Sequence, residues 1–203
     1  MVPTRTMERV FLPFLLKRRY LSTRDLARYL GFLVKNLNGL GPEFIHRNKY
    51  HFKYKDPLEL DKLAAECFQA RILPLVSPQG RKAVEEHRQA GHLVVILTGS
   101  LQPLADQICR ELRADVVLAA QLAVEQGAFS GNLARPRPYG PEKARLVRQL
   151  AESRHLDLSG SFAYGDHHSD LELLACVGNP RVVNPDHGLW QEAKKRGWPI
   201  LRF

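Results

Sequence analysis

Two carboxylates, Asp166 and Asp170, stand four residues apart directly after the short apolar run 162–164 and Gly165. Because the carboxyl ends of parallel strands lie at the ligand-binding edge of an α/β sheet, we expect the glycine turn to present both acids there. Carboxylate oxygens are the ligands that Mg²⁺ prefers, together with waters and substrate phosphates. The segment therefore predicts a magnesium site formed by Asp166 and Asp170.

The same segment also permits a structural interpretation. Ser169 and Glu172 have the spacing of a capping box, which would start a helix, and Asp170 would favour the positive end of its dipole. Both interpretations can hold at once. We expect the adjacent His167 and His168 to be loop residues near the mouth of the site, because hard cations prefer oxygen donors.

A second polar group follows another apolar run. Thr98 comes directly after the run 93–97, so its hydroxyl and the amides of Gly99 and Ser100 are expected at the same sheet edge as Asp166. Amides that begin a helix bind anions readily. The alternative is that Ser100 only caps the helix that follows.

Lys143 completes the set of candidate residues. Gly140 and Pro141 open a helix, and Lys143 lies one turn into it, within reach of a phosphate. An isolated helical lysine usually extends into solvent. Only its combination with Thr98 and Asp166 indicates a function.

Helical and strand patterns alternate from residue 77 onward. Helices are predicted at 78–90, 102–113, 141–153, 170–177 and 187–196, and strands at 92–97, 116–119, 162–164, 182–183 and 199–201. This alternation predicts an α/β fold with a mainly parallel, doubly wound sheet. Gly127 and Gly131 predict a hairpin over 122–132.

The first part of the chain reads differently. Apolar residues recur at helical spacing over 6–37 and 58–70, and Ser22 and Asp25 are placed to begin a second helix. We therefore expect a helical region over 1–76 and an α/β core over 77–203.

The order of Thr98, Lys143 and the motif Gly165-Asp166-x-x-x-Asp170 resembles the haloacid dehalogenase superfamily of phosphotransferring hydrolases. The segments 179–186 and 196–203 look like those of its phosphoserine phosphatase-like branch, subfamily IB. The resemblance implies a Rossmann-like sheet with a helical cap, which the N-terminal helices would form. It also implies Mg²⁺ as cofactor, an aspartyl-phosphate mechanism and a small phosphorylated metabolite as substrate.

The resemblance assigns a role to each candidate residue. Thr98 would hydrogen-bond the transferring phosphoryl oxygens, with the amides of Gly99 and Ser100 beside it. Lys143 would neutralise the charge of the phosphoryl group and the nucleophile. Asp166 would bind Mg²⁺, and Asp170 would support either the metal or Lys143.

The chain departs from this family at its first motif, Asp-x-Asp-x-Thr, which carries the nucleophile on the first central strand. No Asp-x-Asp occurs in the 203 residues, and the opening residues 1–9 resemble the segment directly after that motif in relatives. Glu8 and Asp25 lie in helical patterns and are not credible substitutes. We therefore expect a truncated or misplaced start, and no activity from this polypeptide alone.

Composition limits the class of protein. The chain has 203 residues, 44% of them hydrophobic, and a formal charge of +9, which favours an anionic partner. The cysteines, Cys67, Cys109 and Cys176, are odd in number and far apart, so reduced thiols are expected. The sequence shows no membrane-spanning run and no signal-peptide pattern, which predicts a cytoplasmic protein.

A noncatalytic alternative also fits the charge. Basic and aromatic residues alternate over 47–55, as a single-stranded nucleic-acid groove would require if the segment were a strand. A solvated face of a small domain explains the same alternation. The alternative function is therefore an anion-binding protein, either a degenerate phosphatase or a nucleic-acid binder.

Overall fold

A computed structural model of the protein describes residues 7–35 and 49–203. The chain separates into two compact units. The N-terminal unit contains Arg81–Arg137 and the described residues up to Val76, and the C-terminal unit contains Ser77–Gly80 and Pro138–Phe203. The N-terminal helices thus belong to the same unit as residues 81–137, while a functional boundary between 76 and 77 stays a prediction.

Helices dominate the beginning of the N-terminal unit. These are α1 (Met7–Lys17), α2 (Thr23–Lys35), a 3-10 turn (Tyr50–Phe52), α3 (Pro57–Cys67), a π turn (Phe68–Ile72), a 3-10 turn (Leu73–Leu75) and α4 (Pro78–Gln89), whose first turn belongs to the other unit. Ser22 and Asp25 cap α2 reciprocally: the Ser22 N–H donates to Asp25 Oδ2 at 2.8 Å, and the Asp25 N–H donates to Ser22 Oγ at 3.2 Å. The predicted start of the second helix is confirmed.

A parallel strand pair follows in the same unit. Strand β1 (Val95–Leu101) pairs with β2 (Val116–Ala120), and α5 (Gln102–Leu112) connects them. Apolar side chains from the helices and from β1 form one buried cluster with α5, which includes Phe11, Leu15, Leu60, Phe68, Ile96, Leu104 and Ile108. The N-terminal helices are therefore held by hydrophobic burial against the first strand and its crossover helix.

The predicted hairpin is confirmed. Strands β3 (Leu122–Glu125) and β4 (Ala128–Leu133) are antiparallel. The two residues between them, Gln126 and Gly127, both have positive φ, at 50° and 81°. This is the backbone shape that tight hairpin turns require.

The C-terminal unit contains a three-stranded parallel sheet in the order β5 (Phe162–Gly165), β6 (Asn179–Val183) and β7 (Ile200–Leu201). Its helices are α6 (Pro141–Arg154), α7 (Leu171–Ala175) and α8 (His187–Arg196). Fully buried apolar side chains from the helices and β6 form its core, among them Ala144, Leu174, Val182, Leu189 and Ala193. All five predicted strands are present, so the α/β fold with parallel sheets is confirmed.

The basic segment does not form the strand that its alternation suggested. Residues 47 and 48 lie outside the described residues, and residues 49–55 contain the 3-10 turn Tyr50–Phe52 and no strand. The cations have local partners: Lys49 contacts Glu8, Lys55 contacts Asp25, and Lys53 lies over the Tyr50 ring at 5.1 Å. Local ion pairs and ring contacts thus replace the expected separation into a cationic and an aromatic face.

Two expectations from composition can be compared with the structure. Cys67, Cys109 and Cys176 are free thiols, and burial raises the pKa of Cys67 to about 11. Among the helices of residues 7–35 and 49–203, none combines the length and apolar character that a membrane span needs.

Candidate active site

A buried ion pair joins the start of α6 to the loop after β5. Lys143 Nζ lies 2.5 Å from Asp170 Oδ1, and the two side chains are 14% and 5% exposed. The lysine reaches this position because Pro141 begins α6 and sets Lys143 in its first turn. The ammonium group is thus held by a carboxylate and is not extended into solvent.

Asp170 also holds the backbone of the preceding loop. Its second oxygen, Oδ2, accepts a hydrogen bond from the Asp166 N–H at 3.3 Å. Gly165 makes this packing possible, since a Cβ added there would lie 2.8 Å from the Asp170 Cβ and 3.2 Å from Leu174 Cδ1. The glycine of the motif is therefore required by close packing under the loop.

Asp166 differs from Asp170 in exposure. Its side chain is exposed directly after β5, and its carboxylate makes no hydrogen bond or ion pair with any residue that the structure describes. No cluster of three or more metal-ligating side chains occurs in residues 7–35 and 49–203. One accessible carboxylate still fits Mg²⁺, because this ion is commonly bound through one or two carboxylates, waters and substrate phosphates.

The structure answers part of the question about Asp170. Sequence reasoning left open whether it supports the metal or Lys143, and the structure shows the lysine contact. Both of its oxygens already accept a hydrogen bond, from Lys143 and from the Asp166 N–H. Direct metal ligation by Asp170 stays a prediction.

The loop itself folds as a 3-10 turn, His168–Asp170, before α7 begins at Leu171. The expected capping box between Ser169 and Glu172 is absent, because the extra turn shifts the helix start and makes Asp170 the capping residue, without a side-chain cap bond. Ser169 instead contacts His167: its N–H donates to His167 Nδ1 at 3.1 Å. The capping-box interpretation, one of the two that the sequence permitted for this segment, was therefore wrong.

Asp186 is a further residue of the candidate site that the sequence did not indicate. It follows β6 and caps α8 by accepting the Leu189 N–H at Oδ1, 2.8 Å away, and its Oδ2 accepts the His168 N–H at 3.0 Å. Burial alone would raise the pKa of Asp186, but these two N–H groups and the nearby imidazoles hold it below its usual value. The sequence signal was an Asp directly before the predicted helix 187–196, which indicates a cap but no second contact.

Thr98 lies in the N-terminal unit, inside β1 and not after it. The pairing with β2 is regular up to Leu97 and resumes at Leu101, so residues 98–100 form an irregularity in the strand. The Ser100 N–H donates to Thr98 Oγ1 at 3.1 Å, which leaves the hydroxyl hydrogen of Thr98 able to donate elsewhere.

A helix was expected to start near Gly99 and Ser100, but both residues lie in strand β1. Helix α5 begins at Gln102 with Leu101 as its cap residue, so Ser100 does not cap it and the two amides are not helix-start amides. The backbone carbonyl of Gly99 has a cationic partner that the sequence did not indicate: Arg137 Nε donates to it at 2.7 Å.

The C-terminal unit thus brings together Lys143, Asp166 and Asp170. Thr98, Gly99 and Ser100 lie in the N-terminal unit. The convergence of the two groups around one phosphoryl group stays a prediction.

Two curated relatives resemble the chain in sequence. A probable phosphatase of Mycobacterium tuberculosis is 33% identical over 193 residues, which are 93% of this chain and 66% of the relative. A phosphoserine phosphatase of the same organism is 32% identical over 145 residues, which are 71% of this chain and 47% of the relative. The chain therefore spans about half to two thirds of the length of these relatives.

A solved structure and a family model also match the chain. A protein of unknown function from Bordetella pertussis superposes with a TM-score of 0.79 at 24% identity, covering 96% of this chain and 90% of the other, which supports the fold. The model of the haloacid dehalogenase-like hydrolases matches residues 1–175. Both the resemblance and the fold inferred from the sequence are confirmed, and the chain belongs to the haloacid dehalogenase-like hydrolase family.

Proposed function

We propose that the protein hydrolyses phosphomonoesters of small phosphorylated metabolites through an aspartyl-phosphate, with Mg²⁺ as cofactor. The observation that carries this proposal is the arrangement of Lys143, Asp170 and Asp166 after β5. A buried ammonium group is fixed by one carboxylate, and that carboxylate also binds the backbone of the exposed one. Phosphoryl transfer depends on such positioned charges, because its transition state spreads negative charge over the phosphoryl oxygens.

Each residue has a role in this proposal. Lys143 neutralises negative charge on the phosphoryl group, and Asp170 fixes its ammonium group. Asp166 provides the protein carboxylate for Mg²⁺, which when bound neutralises charge on the phosphoryl oxygens. Thr98 donates its hydroxyl hydrogen to a phosphoryl oxygen, and the Ser100 N–H bond to Thr98 Oγ1 orients that hydroxyl.

The nucleophile lies outside these 203 residues in our proposal, because they contain no Asp-x-Asp. In the family a first central strand carries the nucleophile. We therefore expect the phosphatase to need an upstream Asp-x-Asp-x-Thr segment.

A hydrolysis assay tests the proposal. The 203-residue chain is expected to show no Mg²⁺-dependent hydrolysis of p-nitrophenyl phosphate, whereas a chain extended through the upstream coding region is expected to hydrolyse it. Asp166→Asn and Lys143→Met should abolish the activity of the extended chain. Turnover by the short chain that disappears in Asp166→Ala would overturn the assigned nucleophile, and an extended chain without turnover would overturn the activity.

The absence of the nucleophile also favours a second candidate, a noncatalytic protein that binds a phosphorylated metabolite. Without a nucleophile no phosphoenzyme forms, but Lys143 and Thr98 could still bind a phosphate group. A ligand that binds only the folded state raises thermal stability. Stabilisation of the short chain by phosphate or tungstate, lost in Lys143→Met, with no turnover by the extended chain, would identify this function.

A further inference from the structure

Asp186 makes three backbone contacts with two different elements around the Asp166 loop. Its own N–H donates to the Asp166 carbonyl at 2.9 Å, and its Oδ2 accepts the His168 N–H at 3.0 Å. Its Oδ1 accepts the Leu189 N–H at 2.8 Å, in the first turn of α8. One residue therefore ties the loop that carries Asp166 to a helix.

We propose that Asp186 is a positioning residue that sets the orientation of Asp166 toward the metal. This inference rests on the proposed function, in which Asp166 is the metal ligand. The backbone of Asp166 is held on both sides: Asp170 Oδ2 accepts its N–H at 3.3 Å, and the Asp186 N–H binds its carbonyl. Loss of the Asp186 carboxylate frees the His168 end of the loop while the Asp170 end stays fixed.

Helix α8 is a rigid base for this contact. Its inward side chains, Leu189 and Ala193, are fully buried, so the N–H of Leu189 cannot move without disturbing the core. One carboxylate accepts hydrogen bonds from the N–H groups of both Leu189 and His168. It therefore fixes the loop directly to helix α8. Ligands placed by such second contacts lose affinity when those contacts are removed.

His167 and His168 also contact Asp186 and the start of helix α8, respectively. The Ser169 N–H donates to His167 Nδ1, and His167 Nε2 lies 3.4 Å from Asp186 Oδ2. His168 packs against the first turn of α8, where a Cβ added to Gly188 would come within 3.2 Å of its ring. His167 therefore contacts Ser169 within the loop through Nδ1 and faces Asp186 through Nε2, so this histidine supports Asp186.

Metal binding by the full 203-residue chain tests the inference without using activity, with Mn²⁺ as the probe and electron paramagnetic resonance as the readout. Asparagine at position 186 can accept only one of the two N–H groups, because its amide NH₂ opposes the other. Asp186→Asn is therefore expected to weaken Mn²⁺ binding about 10-fold. Asp166→Asn should abolish the binding.

Asp157 offers a matched control in the same unit. Its carboxylate also accepts two backbone N–H groups, from Ser159 at 2.8 Å and from Gly160 at 3.0 Å, in the loop before β5. Asp157→Asn should therefore weaken a similar loop and leave Mn²⁺ affinity unchanged. A general loss of stability without a metal role would affect both variants alike.

The outcomes are distinguishable. Equal Mn²⁺ affinity in the wild type and in Asp186→Asn overturns this inference and leaves the proposed function standing. A parallel loss in Asp157→Asn also overturns it, because the effect would then be structural. Mn²⁺ binding that is absent from the wild type or insensitive to Asp166→Asn overturns the metal role of Asp166, and this inference falls with it.

Discussion

Lys143 Nζ lies 2.5 Å from Asp170 Oδ1, and neither side chain is more than 14% exposed. Both charges have left water, so their mutual attraction offsets a large desolvation cost, and each depends on the other. The same carboxylate binds the Asp166 N–H. The pair therefore couples the stability of the C-terminal unit to the geometry of the proposed metal loop.

Removal of one charge from this pair should be costly. Asp170→Asn leaves a buried ammonium group without its counterion, and we expect the free energy of unfolding to fall by about 3 kcal/mol. The double variant Asp170→Asn/Lys143→Met should recover much of this loss, because no uncompensated charge remains. Urea denaturation followed by tryptophan fluorescence reports on this unit, since Trp190 and Trp198 both belong to it.

The exposed pair of Lys82 and Glu86 serves as the control. Their charged atoms are 3.8 Å apart and the side chains are 79% and 64% exposed. Because this pair lies in the N-terminal unit, circular dichroism follows its unfolding, and Glu86→Gln should change the free energy of unfolding by less than about 0.5 kcal/mol. If Asp170→Asn proves as mild as Glu86→Gln, or if the double variant is as unstable as the single one, the two buried charges do not depend on each other.

Gly165 provides a second test, based on space. A Cβ at this position would lie 2.8 Å from the Asp170 Cβ, so Gly165→Ala must displace the aspartate or the strand end. We expect a loss of about 1–3 kcal/mol, as for other overpacked sites. Thermal unfolding measured by circular dichroism would detect it.

Gly31 gives the opposite expectation. It lies inside α2, none of the residues that the structure describes is within 4 Å of an added Cβ, and alanine is the better helix former. Gly31→Ala should therefore stabilise the protein by up to about 1 kcal/mol. Equal effects of the two substitutions would show that close packing at Gly165 does not determine the outcome.

The sequence predicted the local structure of those candidate residues that obey local rules. Lys143 followed from a Gly-Pro helix start, and Asp166 from a glycine at a strand end, and the structure has both elements. Ser100 was placed wrongly because β1 continues to Leu101, which only its pairing with β2 reveals. The contact between Asp186 and His168 joins residues 18 apart in sequence, so no periodicity or spacing could have indicated it.

A substitution at Lys53 tests the nucleic-acid alternative. Its ammonium group lies over the rings of Tyr50 and Tyr54, at 5.1 and 4.9 Å, and Lys53 directly follows the 3-10 turn Tyr50–Phe52 and does not lie in a strand. We therefore expect Lys53→Gln to leave the affinity for single-stranded DNA unchanged. Fluorescence anisotropy at several salt concentrations measures this affinity. If the salt dependence of the DNA affinity is weaker in the variant, by about one phosphate contact, the result would instead support nucleic-acid binding.

His51 should make the stability of the N-terminal unit depend on pH. The ring is buried between Tyr29 and Phe52, and Nδ1 has no hydrogen-bond partner in the described part of the chain. Burial, assisted by the charge of Lys49 and opposed by that of Asp25, lowers the pKa of His51 from 6.5 to about 4. The folded state therefore binds a proton less readily than the unfolded state.

The sign of the effect follows from this difference. Above pH 6.5 the imidazole is neutral in both states, and the stability is fully present. As the pH falls below 6.5, the unfolded state takes up the proton first, so stability is lost until the folded pKa near 4 is reached. Between pH 7 and pH 5 the contribution amounts to about 2 kcal/mol.

Urea denaturation of wild type and His51→Phe by circular dichroism isolates it, because the other histidines are common to both proteins. The difference in unfolding free energy should change with pH in this window, and parallel profiles would show that His51 is protonated equally in the folded and unfolded states.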